Sequence, residues 1–246
     1  MQNTNSKAIY PASLDVIHYK IIEMLSSLPR GKALDLPAGP GRLSLWLKQQ
    51  GFDVTAADLS PDAFLASEIP VMKVDLDDPF PIEDGIFDYA FCIEGPEHVE
   101  NLYHTFREFY RILKPGGKII ISYPNYSNIE SRIKMIFYGV LEPVEPLQLS
   151  NGKQKNNGHI NRQPVALVKQ AMDHAGFSIE RIQRENLKRN QLLFYPLYLL
   201  IRLFTLLKGK RGEQKYWLQT SNQFDVAMGG NSILIIASKK EILDGP

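Results

Sequence analysis

The stretch Ala33-Leu34-Asp35-Leu36-Pro37-Ala38-Gly39-Pro40-Gly41-Arg42-Leu43-Ser44 decides the fold. Lys32 to Leu36 reads as a strand, the following residues as a glycine-rich turn, and Arg42 to Gln50 as a helix that Gly51 ends. Glycines in such a turn let a ligand approach the backbone, and the helix N-terminus adds unpaired N–H groups and a partial positive charge. Working outward, apolar runs recur at Asp53–Ala57, Val71–Val74, Phe87–Ile93 and Lys118–Tyr123, without polar alternation. Unbroken runs of this kind require burial on both faces, the situation of parallel strands covered by helices. Helical periods lie at Asp15–Leu28, within an N-terminal region 11–28, and at His98–Leu113, which Lys114-Pro115-Gly116-Gly117 ends. The expected architecture is therefore α/β, a doubly wound and mostly parallel sheet in a single domain spanning residues 1–246.

After Tyr123 the pattern loosens. Residues 124–162 are polar and turn-rich, with Pro143, Pro146 and the run Asn151 to Gly158, and read as a lid-like insertion. A helix at Pro164–Ala175 and a strand at Phe177–Ile182 follow, and a closing strand at Ser232–Ala237 comes after an insertion at 186–230. That insertion holds LLFYPLYLLIRLFTLL, Leu192 to Leu207, followed by Lys208, Lys210 and Arg211. The apolar block falls short of the roughly 20 residues of a spanning helix, and Pro196 and Arg202 interrupt it. Tyr195, Tyr198, Arg202 and Thr205 share one narrow helical face, and the rest is apolar nearly all round. Such a helix is buried in a core or subunit interface, or lies at a membrane surface with its basic end (192–211 overall) toward anionic headgroups.

Composition narrows the function. With 44% apolar and 22% charged residues the chain is that of an ordinary globular protein, and Cys92, the single cysteine, excludes an internal disulfide framework. A net charge of +1 argues against a nucleic-acid partner bound through counterion release. The N-terminal residues show no basic region followed by a long apolar stretch, so they do not read as a secretory signal, and a cytoplasmic setting, peripheral at the inner membrane face, is the expectation. Five histidines, with no pair at metal-ligand spacing, provide no sequence case for a metal.

Two further acids follow the glycine turn. Asp58 ends the second strand about 20 residues on, where a doubly wound sheet hydrogen-bonds a ribose diol, and Asp75 ends the third. A dinucleotide fold wants G-x-G-x-x-G or A, whereas here the last position is Ser44, and the carboxylate of Asp35 would repel a pyrophosphate. These features disfavour an NAD-dependent oxidoreductase and suit a cofactor with a cationic centre and no phosphate. At these residues the sequence resembles the class I S-adenosylmethionine-dependent methyltransferases. The resemblance matches Asp35, Gly39 and Gly41 to the first motif, with Pro37 where a glycine is usual. It matches Asp58 to the ribose-binding acid, Leu59 to the residue against the adenine, Asp75 to the acid that reaches the adenine amino group, with Leu76 beside it, and Ile93 to the cofactor wall. Phe80 to Asp88, Ile93-Glu94-Gly95-Pro96-Glu97-His98-Val99 and Leu113 to Lys118 are similar to later motifs. Pro124-Asn125 and Gly158-His159 resemble the subgroup holding ubiquinone-pathway and glycan O-methyltransferases.

The resemblance implies a Rossmann-like seven-stranded sheet with the last strand antiparallel, and S-adenosyl-L-methionine as cofactor. It implies methylation, most naturally on oxygen, of a small-molecule, sugar or lipid-linked acceptor. The alternatives are the oxidoreductase above and a non-catalytic binding or scaffold protein of the same fold, which Pro37 favours. A hydroxyl acceptor must lose a proton, so a base near the methyl group helps. Glu94 at the end of the central strand, His98 opening the next helix and His159 in the polar segment are the candidate catalytic residues.

Overall fold

The computed structural model describes residues 15–25, 28–141, 149–150, 153–154 and 158–240. Seven strands make one sheet: β1 (Lys32–Asp35), β2 (Asp53–Asp58), β3 (Val71–Lys73), β4 (Phe87–Cys92), β5 (Leu113–Pro124), β6 (Phe177–Arg184) and β7 (Ser232–Lys239). Their spatial order is 3-2-1-4-5-7-6. Strands β1 to β5 pair in parallel, and β7 runs antiparallel to both its neighbours, β5 and β6. The order reverses between β1 and β4, which opens a crevice at the C-terminal ends of these two strands, the place where open α/β sheets bind ligands.

Helices cover both faces. One core packs Phe106 and Phe109 of α3 (Leu102–Ile112) and Val168 and Met172 of α5 (Val165–Ala175) on the sheet; the other packs Ile17, Ile21 and Leu25 of α1 (Asp15–Leu25) and Leu43 and Leu47 of α2 (Arg42–Gln49). Strand β5 shows why its run is unbroken: Ile119 and Ile121 enter the first core and Ile120 the second. Of the N-terminal helix expected over 11–28, residues 11–14 and 26–27 lie outside the described residues.

Two expectations are corrected. His98 does not open α3. Pro96–His98 form a 3-10 turn, and the helix begins after Asn101, whose side chain accepts from the His104 N–H. Nor is the segment after β5 an open lid throughout. It contains α4 (Ile129–Tyr138), started by an Asn128 side chain that accepts from the Ser131 N–H and ended by Gly139 in a left-handed conformation. The remainder of that reading falls on a short hairpin, Leu149–Ser150 with Lys153–Gln154, and on residues 142–148, 151–152 and 155–157, which lie outside the described residues.

The insertion between β6 and β7 is helical: a 3-10 segment Arg189–Phe194, then α6 (Tyr195–Tyr216), α7 (Leu218–Asn222) and α8 (Phe224–Ala227), with α6 interrupted at Gly209. It is packed inside out. Tyr198 and Thr205, on the polar face, are 8% and 0% exposed, while Leu200 and Leu207 are 64% and 77% exposed. Several inward polar groups pair with one another. The Asn222 amide donates to the Thr205 hydroxyl at 2.8 Å and accepts from the Arg132 guanidinium of α4 at 2.7 Å. Arg132 also donates to the Ser127 and Ser221 carbonyls, which joins α4, α6 and α7 through a polar seam. Of the alternatives the sequence leaves open for this helix, burial of its leucines in the chain's own core does not hold.

Candidate active site

The glycine turn and Asp58 form one unit. Gly39 and Gly41 have φ of 52° and 90°, and the Leu36–Pro37 bond is cis, so the turn starts on a cis proline where a glycine is usual. The Asp58 carboxylate accepts the Gly39 N–H through one oxygen and the Ser60 N–H through the other, both at 2.8 Å. The acid that faces the crevice thus also holds the loop in shape. At Gly41 an added Cβ would stand 2.6 Å from the Phe64 ring, whereas at Gly39 it would meet nothing within 4 Å. One glycine is closed against the protein, and the other faces open space.

Asp35 lies beneath the loop and not on its open face. It is 1% exposed, and its carboxylate accepts from the Ser44 hydroxyl at 2.5 Å. Burial lifts its pKa to about 7, against the lowering effect of the Ser44 hydrogen bonds. Ser44, the residue that breaks the dinucleotide pattern, is the partner that Asp35 needs. Asp75 is half-buried two residues past the end of β3, with one oxygen accepting the Asp77 N–H at 3.0 Å. Leu59 is exposed beside Asp58, Leu76 packs partly against the core, and Ile93 is buried behind the crevice. The open edge is therefore Gly39, Asp58, Leu59 and Asp75, with Asp35, Leu76 and Ile93 supporting it.

Glu94 follows β4 with φ 50°, a left-handed conformation uncommon for a side chain of this kind and characteristic of functional sites. Ser122 of β5 fixes it: the Ser122 hydroxyl accepts the Glu94 N–H at 2.8 Å and donates to the Glu94 carboxylate at 2.7 Å. Beyond it, His98 and His159 meet edge to face with ring centroids 5.2 Å apart. His98 Nδ1 is 3.3 Å from the Gly158 carbonyl, and His159 Nδ1 is 2.9 Å from the Tyr126 hydroxyl. Burial, with the nearby His159, lowers the His98 pKa and favours the neutral imidazole.

The two histidines are held together by backbone contacts. The Ile160 and Asn161 N–H groups both donate to the Glu97 carbonyl at 2.9 Å, and the Tyr123 hydroxyl donates to the Asn161 carbonyl at 2.7 Å. Glu97 itself is fully buried in the turn before His98. Sequence reasoning passed over Glu97 and Tyr126 as site residues. For Glu97 the only signal is its place between Pro96 and His98; for Tyr126 there is none, because its partner comes from a distant segment.

A doubly wound sheet with a glycine loop, a loop-holding acid at the end of β2 and an acid just past the end of β3 defines the class of Rossmann-like methyltransferase folds. The chain belongs to the methyltransferase-domain family, whose model matches residues 17–182. Over 124 residues it is 32% identical to the ubiquinone biosynthesis O-methyltransferase of Xanthomonas campestris pv. campestris, covering 47% of this chain and 50% of that protein. It is 27% identical over 119 residues to a sterol 4-C-methyltransferase of Caenorhabditis elegans, covering 44% of this chain and 36% of that one. The chain thus spans about half the length, or less, of these curated relatives. Among solved structures it is similar to an S-adenosylmethionine-dependent methyltransferase of Archaeoglobus fulgidus (TM-score 0.58, 16% identity, 92% of this chain and 95% of that one). It is also similar to phosphoethanolamine N-methyltransferase 2 of Haemonchus contortus in complex with S-adenosyl-L-methionine (TM-score 0.53, 18% identity, 91% and 52%).

S-adenosylmethionine is the cofactor of this family, and the residues present fit it. Gly39 leaves space over the loop, and the half-buried carboxylates of Asp58 and Asp75 retain lone pairs for hydroxyl and amino donors. An acidic edge of this kind also suits a cationic sulfonium better than a pyrophosphate.

Proposed function

We propose that the protein transfers the methyl group of S-adenosylmethionine to an oxygen of a lipid-linked acceptor while resting on the anionic inner face of a membrane. The observation that carries the lipid reading is the reversed helix α6. Leu199, Leu200, Leu203, Phe204, Leu206 and Leu207 form one outward apolar face, each at least half exposed. Among the described residues, Arg189–Tyr216 is the one helical stretch long and apolar enough to cross a membrane, and 11% of its apolar window is buried. Its inward side is tied to α7 and α4, so in this docked state it lies along a surface and does not span. Covering six half-exposed side chains with lipid is worth roughly 6 kcal/mol, before the cost of confinement at the surface. Lys208, Lys210 and Arg211 supply the attraction to anionic headgroups. The surface is close to the chemistry: α6 packs through Tyr198 on Ile129 of α4, which starts just beyond Tyr126. Relatives named for ubiquinone biosynthesis and for sterol methylation fit the same reading.

When bound, the cofactor supplies a methyl group on a positively charged sulfur. Asp58 and Asp75 would hold its ribose and adenine ends, and the glycine loop would leave space for it at Gly39. The acceptor hydroxyl gives its proton to a base at the Glu94, His98 and His159 edge. Loss of that proton would leave the acceptor oxygen nucleophilic enough to take a methyl group whose leaving group is a neutral thioether. The chain's contribution is mainly alignment and exclusion of water.

The test incubates the protein with radiolabelled S-adenosylmethionine and membrane extract and then separates organic from aqueous phases. Label is expected in the organic phase, with a methyl ether at the modified atom by mass spectrometry. Label confined to the aqueous phase would remove the lipid-linked acceptor, and a calorimetric titration without cofactor binding would remove the methyltransferase reading itself.

A further inference from the structure

We propose that Glu97, His98 and His159 form a binding site for one divalent cation of the zinc type beside the methyl-transfer edge. One carboxylate oxygen of Glu97 and one ring nitrogen from each histidine all lie within 4.8 Å of one another. In a tetrahedral zinc centre such atoms stand roughly 3.4 Å apart, so closing around an ion needs about an ångström of side-chain movement. Two imidazoles with one carboxylate form a borderline set that favours first-row transition cations over magnesium or calcium, and three protein ligands leave coordination positions open.

The surroundings are those of a built site. Nδ1 of each histidine makes a contact of its own, His98 toward the Gly158 carbonyl and His159 toward the Tyr126 hydroxyl. Orientation of a ligating imidazole through its other nitrogen is the usual outer-shell device of metal centres. Glu97 is fully buried, and the two backbone donors on its carbonyl bring the His159 segment to the turn that carries His98. The Tyr123 hydroxyl adds a second clamp, donating to the Asn161 carbonyl and accepting the Gln163 N–H at 2.6 Å.

An ion here would bind the acceptor oxygen through an open position and make its proton easier to lose. The histidines are then ligands, and Glu94, locked by Ser122, is left as the group that takes the proton. This role rests on the methyltransferase reading; the binding site does not.

The full-length chain, free of affinity tag and stripped with EDTA, is titrated with zinc chloride by calorimetry, and S-adenosylmethionine is titrated separately. One equivalent of zinc should bind in the micromolar range or tighter, with magnesium at least about 10-fold weaker. His98→Ala and His159→Ala should each weaken zinc by about 100-fold, and Tyr126→Phe by about 10-fold. All three should keep a native circular dichroism spectrum and cofactor affinity within about 3-fold of the parent; this ratio separates a lost ligand from a damaged fold. Glu97→Gln, at a wholly buried position, is secondary. Absence of saturable zinc binding, equal affinity for magnesium, or parental zinc affinity in both histidine variants would overturn the site. Zinc binding without cofactor binding would overturn the proposed function and leave the site standing; the reverse result would do the opposite.

Discussion

The cofactor-facing half of the sheet and the helical insertion after β6 obey opposite burial rules. In the first, Leu34, Leu36, Ala57 and Phe91 are fully buried, and the buried acid Asp35 sits directly under the ligand loop. In the second, Thr205 and Asn222 go inside, where Asn222 meets the Arg132 guanidinium of α4, and the leucines stay outside. Water alone explains the first half, since apolar surface leaves it and polar exceptions stay where chemistry uses them. It does not explain the second, and the membrane contact proposed above is one way to cover those leucines. The difference shows that the apolar content of a segment says nothing of where the apolar side chains point.

The sharpest probe of the cofactor half is Asp35. The unfolded carboxyl ionises near 3.8 and the folded one at about 7, so the native state disfavours the ionised form. Below pH 3.8 the group contributes nothing; stability is lost as pH rises through the interval to 7 and then levels off. Relative to Asp35→Asn, the cofactor-free protein should lose about 4 kcal/mol across that interval, or roughly 10 °C in melting temperature. Parallel melting curves for the two proteins between pH 4 and 8 would show that Asp35 is not a buried carboxyl. Next in size is Asp58→Ala, which removes the anchor of Gly39 and, on the proposed function, the ribose acceptor. A loss of at least about 100-fold in S-adenosylmethionine affinity by calorimetry is expected, about 2.7 kcal/mol. An unchanged value would detach Asp58 from the cofactor.

The outward face of α6 is tested with lipid. Flotation with vesicles containing anionic lipid should be strong for the native chain and fall at least about 10-fold when Leu199, Leu200 and Leu203 are changed together to Glu, because charges there oppose both burial and the headgroup field. The same triple change should leave the melting temperature within a few degrees, since all three side chains point outward. A collapse of the fold instead would mean that these leucines are covered by protein.

Much of this architecture is legible in the sequence, for reasons that differ along the chain. Strands β1, β2, β4 and β5 announce themselves because both faces are buried, and Asp58 and Asp75 because strand ends carry the ligand edge. The approach of His98 to His159 has no such signal. It arises from two N–H groups meeting the Glu97 carbonyl and from the Tyr123 clamp, contacts between segments far apart in the chain. Helix α4 was hidden by the polar residues around it, although Asn128 and Gly139 are ordinary start and stop signals. The direction of α6 is the subtlest case. Its narrow polar face was visible at Tyr198, Arg202 and Thr205, but only Asn222 and Arg132, supplied by other elements, make that face the inner one.

That inner face allows the finest comparison. Thr205→Val keeps the side-chain volume and removes the hydroxyl that accepts from Asn222, leaving a buried amide donor unsatisfied. A conventional amphipathic helix would gain from a more apolar residue facing its own domain. Here the substitution should cost about 1–2 kcal/mol, a fall of roughly 2–6 °C in melting temperature, while the opposite exchange, Leu203→Lys on the outer face, should leave it within a degree or two. If valine stabilised the protein and lysine destabilised it, α6 would be an ordinary core helix, and its leucines would belong to a protein surface and not to a membrane.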